Sequence, residues 1–487
     1  MPAFVLSSLT AGSAGGRPGS IAPAVVPEVL PVVMPAAPWL LVPAVLPAGL
    51  PADPAAGLPP QVPAGLPASA AAQLAGAFAG KVPRRPGPGS PAREVLAAHA
   101  GQLGALEQLD EARCARLLGF LSRVADPRDQ RGRRYELAYL LAIAVVAMMA
   151  GDGELAAIGE WAAGAPAGLL AALGGRAGPG GTVMAPDTAT ITRALQDVDG
   201  DELDLALCAW TAALRREARG DLLRSIHVDG KAEKGAARKR KGLKAPMLLS
   251  AVCDSGTVLA QLAVSRKTNE IPVFRKLIAL TGDLAGVVVT ADQLHTQRKH
   301  ATCLRKRGAH YVFTLGENQP KLYAAVNALP WKHIAAEHAT VDRGHGRIEL
   351  RTIAVLPATD QIRGLFPHTA QVFLLERYIF DLDGSAIGAV AVLGITSLPP
   401  GQADGAALMA YVRGHWSIEV LHHVRDVTLG EDASRTRGAS RALAGLRNLI
   451  ISVLRLRGVT NIAAQLRASH RDPYHLPLRL LGLTSPA

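Results

Sequence analysis

The sequence predicts an α/β protein built on a mixed sheet, with an all-α region ahead of the sheet and a low-complexity tail ahead of both. Three observations carry this expectation. Residues 1–91 are nearly free of charge and rich in Ala, Pro, Gly and Val. From about 92 to 220 the apolar residues recur with the 3.6-residue period of amphipathic helices. From about 221 the pattern changes to short apolar runs between turn residues, which suits strands alternating with helices.

The first region repeats Pro-Ala-Gly-Leu-Pro at 47–51 and 63–67. It offers no periodic apolar face, so a disordered or extended tail is expected. Val29 to Ala52 is apolar, but Pro31, Pro35, Pro38, Pro43, Pro47 and Pro51 interrupt it, and a spanning helix needs roughly 20 helical residues. The whole chain has 487 residues, a formal charge of +12 and four scattered cysteines, none in a C-x-x-C pair. A disulfide scaffold or zinc site is therefore excluded, and a reducing, cytoplasmic setting is expected. The positive surplus suits a polyanionic partner, because each neutralised phosphate releases counterions.

In the all-α region the expected helices are Glu94–Gln108, Asp110–Val124, the apolar Tyr135–Met149, and one beginning at Glu154. A polar, basic loop separates the second and third at 126–134. Pro186-Asp187-Thr188 reads as a helix start before Ile191–Leu195. The run Leu137 to Ala150 is too short to span a bilayer and reads as a buried helix.

The strands Ser225–Asp229, Met247–Val252 and Val258–Val264 suit an antiparallel meander. A helix at Pro272–Leu280, a strand at Gly286–Thr290, a basic helix at His295–Arg307 and a strand at His310–Thr314 follow. The order βββαβαβ is that of the RNase H-like fold, whose parallel crossovers put helices on both faces. Strands at Ile348–Val355, Gln371–Tyr378 and Ile387–Ile395 then form a β-rich insertion at about 331–400. Helices at Ala406–Val427 and Arg441–Leu456 complete a catalytic domain spanning 221–470, with 471–487 left as a C-terminal tail.

Asp229 ends the first strand and Asp292 lies just past the fourth. In this strand order those ends are neighbours, and two carboxylates there can hold Mg²⁺, which prefers oxygen ligands. A third ligand must come from a later element. Glu419 stands on a helix with His415, Trp416 and His422 on its face and Arg413 nearby; Glu431-Asp432 is the competing candidate.

These residues also carry a resemblance. Val228-Asp229-Gly230-Lys231, Lys267-Thr268-Asn269-Glu270-Ile271-Pro272, Thr290-Ala291-Asp292-Gln293-Leu294-His295-Thr296-Gln297 and Arg343-Gly344-His345-Gly346-Arg347-Ile348-Glu349 resemble the ISAs1 family of insertion-sequence transposases. So do Val412-Arg413-Gly414-His415-Trp416-Ser417-Ile418-Glu419 and Gly430-Glu431-Asp432-Ala433-Ser434, in the same order, over about 115 to 470. The family usually has Asn where Val420 stands and Trp where His423 stands.

The resemblance implies a DDE transposase with Asp229, Asp292 and Glu419 as metal-binding triad, two Mg²⁺ or Mn²⁺ ions as cofactors, and a transposase-associated helical domain before it. It implies double-stranded DNA as partner, at transposon terminal inverted repeats and at the target, with a homodimer on the DNA and a nucleoid-associated location. It also places Lys231, Arg347, Arg413, His415 and Trp416 close to DNA or the active site. His295 and Arg298 on the basic helix, and the loop Arg238, Lys239, Arg240 and Lys241, are expected to meet nucleic acid. The rival expectations are a degenerate copy that binds DNA without cutting, and a nuclease without strand transfer.

Overall fold

The computed structural model describes residues 66, 68–78, 109–178, 180–219, 223–236, 245–265, 269–436 and 438–485. The expected helix Glu94–Gln108, the basic loop Arg238–Lys241 and most of the low-complexity tail lie outside them.

Part of that tail departs from expectation. Ala68–Phe78 form a helix, α1, and its Leu74 and Ala77 are buried against Ile348, Leu350, Tyr378 and Phe380. The run has no proline and is largely alanine, so once the prolines stop it has high helix propensity.

The helical region consists of α2 (Glu111–Leu121), α3 (Leu137–Ala150), α4 (Leu155–Gly164), α5 (Ala167–Ala172), α6 (Thr188–Asp197) and α7 (Gly200–Arg219). Local chemistry sets its boundaries. The Asp110 carboxylate accepts from the Arg113 N–H at 3.1 Å to start α2, and Asp187 does the same for Ala189 at 2.7 Å before α6. Helix α3 stops at Gly151, whose φ of 106° only glycine adopts cheaply. All of α3 except Ala138 is buried, as an all-round apolar helix must be. No single helix among the described residues is long and apolar enough to cross a membrane.

The sheet has nine strands in the order β3-β2-β1-β4-β5-β9-β8-β7-β6. They are β1 (Ser225–Ala232), β2 (Met247–Cys253), β3 (Val258–Val264), β4 (Val288–Ala291), β5 (His310–Thr314), β6 (His338–Gly344), β7 (Arg347–Pro357), β8 (Gln371–Asp381) and β9 (Ala386–Thr396). Strands β1, β4 and β5 run parallel, and the other pairings are antiparallel. With α8 (Ile271–Ala279) and α9 (Arg298–Lys306) between them, the first five strands have the expected βββαβαβ order.

The insertion is not a separate layer. Strand β9 pairs with β5, so β6 to β9 prolong the same sheet. Strand β6 was not expected, because His-Ala-Thr-Val-Asp-Arg-Gly carries too little apolar alternation to read as a strand.

After the short helices α10 (Pro320–Asn327) and α11 (Asp360–Leu365), α12 (Gly405–Gly414) and α13 (Trp416–His423) split the single expected helix at His415. A π-helical turn, Val424–Thr428, ends it. Helix α14 (Ser440–Leu456) then packs on α7, and α15 (Ile462–Arg471) and α16 (Leu476–Leu481) return to α3. The expected C-terminal tail is therefore corrected. Leu476, Leu478, Leu480, Leu481 and Leu483 are buried in the helical core, and Thr484 bridges to Leu109. A leucine-rich end has apolar area to bury, and α3 offers the surface.

Candidate active site

Parallel pairing fixes the first two carboxylates. Val228 on β1 stands opposite Ala291 on β4, so the next residues, Asp229 and Asp292, lie at one level at the carboxyl end of the sheet's centre. Asp292 also starts a tight turn, accepting the backbone N–H of His295 at 3.3 Å.

The third carboxylate comes from α13, whose junction with α12 is pinned beneath the site. The buried His415 ring lies 3.0 Å from the Thr290 hydroxyl through Nδ1, and that hydroxyl lies 2.7 Å from Nδ1 of His227. Gly414 allows the close approach, since a Cβ there would come within 2.9 Å of the His227 ring. Burial pushes His227 down to about 4 and His415 down to about 3, so both rings are neutral and share the hydroxyl as donor and acceptor.

The acids are close enough to feel one another's charge. Burial and the charge of Asp292 push Asp229 up to about 8, and Glu270 and Glu419 add to the push against the opposing N–H of Gly230. Burial raises Asp292 as well, with Glu270 adding and His295 opposing. Burial raises Glu419. Among the described residues no lysine or arginine bridges any of the four. His422, also in α13, puts Nδ1 3.6 Å from Asp229 Oδ2, while its Nε2 has no protein partner. Burial and the neighbouring cations Arg425 and Lys231 hold His422 well below its ordinary value.

Glu270 and His422 were missed as site residues. Glu270 stands in sequence just ahead of the helix expected at Pro272–Leu280, within one of the motifs that carry the family resemblance. His422 shares a helical face with Glu419, a usable signal outweighed by the stronger pattern at His415 and Trp416.

Of the residues expected near DNA or the active site, Lys231, His295 and His415 lie inside the protein, so none of the three presents its side chain at the surface. Lys231 is 5% exposed and pairs with Asp426 and Glu431. His295 is fully buried and bonds Glu270 at 3.1 Å. His415 holds the helix junction described above. Side-chain type alone does not say which face of a strand or helix a residue occupies. Trp416 is exposed, with the Arg377 guanidinium 5.7 Å from its ring centroid. Arg413 pairs with Asp342 at 3.0 Å and Arg347 with Glu349 at 2.6 Å. Arg298 is exposed and donates to the Leu365 carbonyl. Val420 and His423, where the chain departs from its expected relatives, both face solvent.

The competing acid, Glu431, is fully engaged. Both of its oxygens accept from Arg425 at 2.8 Å, and Arg447 stands 3.6 Å away.

Comparison with known proteins places the chain in a family. Residues 118–211 match the family described as DDE_Tnp_1-associated, and residues 217–454 match the Transposase DDE domain. YncI of Escherichia coli O157:H7, which carries the name of a transposase, is 27% identical over 356 residues, covering 70% of this chain and 87% of its own. YhhI of Escherichia coli K12, named as an H repeat-associated transposase, is 25% identical over 253 residues, covering 47% of this chain and 63% of its own. Among solved structures, the piggyBac transposase synaptic complex with hairpin DNA aligns at a TM-score of 0.38 and 9% identity, over 77% of this chain and 81% of that one. With both family models matched in succession from residue 118 to 454, the chain belongs to the DNA transposases that carry a Transposase DDE domain.

Proposed function

We propose that this transposase belongs to the ISAs1 group, that its first five strands form an RNase H-like core, and that Asp229, Asp292 and Glu419 are its catalytic triad. One observation supports the assignment most: Asp229 on β1 and Asp292 just past β4 stand at one level on adjacent parallel strands, Glu419 on α13 is near enough for its charge to raise Asp229, and no lysine or arginine among the described residues bridges them.

The donor set fits Mg²⁺ or Mn²⁺, being all oxygen and uncompensated. No three of these side chains converge on one ion position as they stand, so Asp229, Asp292 and Glu419 would close around the ions on binding. When bound, two such ions neutralise charge on the reacting phosphate and sharpen the nucleophile. The chain's own residues supply position. The His415–Thr290–His227 chain fixes the α12–α13 junction against β1 and β4, and thereby the approach of Glu419.

The reaction consists of two in-line displacements. A water oxygen attacks phosphorus at the transposon end, the P–O3′ bond breaks, and the 3′ oxygen leaves as hydroxyl. That hydroxyl then attacks a target phosphodiester, forming a new P–O bond as the target's P–O3′ bond breaks. No covalent protein intermediate is involved. Double-stranded DNA with terminal inverted repeats is the substrate, bound by a homodimer in the bacterial cytoplasm, with Trp416, Arg413, Arg347 and Arg298 as the surface residues nearest to nucleic acid.

The test is Mg²⁺-dependent cleavage and strand transfer on a DNA carrying the element's ends. Wild type should yield both cut and joined products. Cut product alone would reduce the reading to a nuclease, and binding without cutting would reduce it to a degenerate DNA-binding copy.

A further inference from the structure

We propose that Glu270 is a fourth acidic residue of the metal site, held in place by His295. The proposal rests on the reading of Asp229, Asp292 and Glu419 as metal ligands, and deepens it.

Glu270 starts α8, its carbonyl accepting from the N–H groups of Val273 and Phe274 at 3.0 and 3.1 Å. A polar side chain at a helix start can turn back to accept from the first turn's N–H groups. Glu270 does not: its carboxylate makes no cap hydrogen bond. It turns toward β1 and lies over Gly230, where a Cβ would come within 2.3 Å of Cδ and Oε1. The missing side chain at position 230 is therefore the opening through which Glu270 reaches the strand, next to Asp229. Its negative charge is felt by both Asp229 and Asp292.

A buried carboxylate is costly without a donor. His295, three residues after Asp292, supplies one. Its Nε2 lies 3.1 Å from Glu270 Oε2, its Nδ1 has no protein partner, and the ring packs against Phe274 at 5.1 Å between centroids. The carboxylate lies over Gly230 with both oxygens, Oε2 bonded to His295 and Oε1 making no hydrogen bond to that ring. Metal ligands are commonly oriented by such a donor. A purely structural pair would put an acid here only to satisfy His295, a poor use of a site where Asp229 and Asp292 already repel it.

The test titrates Mn²⁺ into the full-length, DNA-free protein by calorimetry, with thermal melting as a second readout. Glu270→Gln preserves shape and an acceptor for His295 but removes the charge. Mn²⁺ affinity should fall ~10-fold or more, and the melting shift caused by Mn²⁺ should shrink. Glu270→Asp keeps the charge but withdraws it, and should weaken binding too; if the Gln variant does not fold, the Asp variant decides. His295→Phe should weaken Mn²⁺ binding in the wild type and add little in Glu270→Gln, because the two act as a unit. Wild-type Mn²⁺ affinity in the folded Glu270 variants, with Asp229→Asn impaired, overturns the role of Glu270 alone. Wild-type affinity in Asp229→Asn as well overturns the triad reading.

Discussion

Two acidic clusters lie within about a dozen residues of one another along α13 and its continuation, and they are built in opposite ways. The cluster at the sheet's carboxyl end gathers Asp229, Asp292, Glu419 and Glu270, with imidazoles beside it and no lysine or arginine bridging it among the described residues. The second, around the π-helical turn, gathers Glu431, Asp426 and Asp204 and matches them with Arg425, Lys231 and Arg441. Arg425 is completely buried and also donates to Gln261 on β3 and Asn448 on α14. The second cluster thus ties the catalytic sheet to the helical region and is electrically closed. The first is left for something outside the chain to balance. The difference teaches that acidic residues alike in sequence can be set apart by their counter-ions, and it is the uncompensated ones that the proposed function takes as its ligands.

The sharpest way to break this comparison is to neutralise one acid from each cluster. Glu419→Gln should lower metal-dependent cleavage by orders of magnitude while DNA binding and melting temperature hold. Glu431→Gln should do the reverse. It leaves Arg425 and Arg447 buried without full partners, costing about 3–5 kcal/mol, yet cleavage per folded molecule should survive. Denaturant titration and a gel assay on the same preparations check both. If Glu431→Gln cut poorly at full stability, the two clusters would have to exchange roles.

A smaller effect is expected from pH. The Asp229 carboxyl titrates near 8 in the fold, against an ordinary 3.8 in the open chain. Its contribution to stability is therefore complete below about pH 4 and is lost as pH rises through 8. Metal-free protein should melt at progressively lower temperature from pH 5 to 8, and Mg²⁺ should restore the most at the alkaline end. Asp229→Asn should flatten the slope and raise the metal-free melting temperature. An unchanged slope in that variant would mean that the open cluster is not strained by its own charge.

The smallest effect is expected at Val420, on the solvent face of α13. Val420→Asn should change stability by no more than about 0.5 kcal/mol and leave cleavage within a few-fold. A large gain in cleavage would show that this face meets the DNA.

The sequence by itself determined the order of β1 to β5 along the chain, the placing of Asp292 just past β4, and the helix bearing Glu419. Each follows from local periodicity and from the polar residues that stop an apolar run. The strand expected to end at Asp229 instead runs on to Ala232, because β2 continues to pair with it. Only the tertiary structure decided that the insertion prolongs the sheet, that residues 476–483 belong to the helical core, and that Glu270 lies over Gly230. It likewise decided that Lys231, His295 and His415 look inward, and that Glu431, unlike Glu419, is neutralised by Arg425. These depend on pairings between residues tens to hundreds of positions apart. Local pattern shows which side chains are present, whereas burial and counter-ions are set by whichever distant element the packing of apolar surface brings alongside.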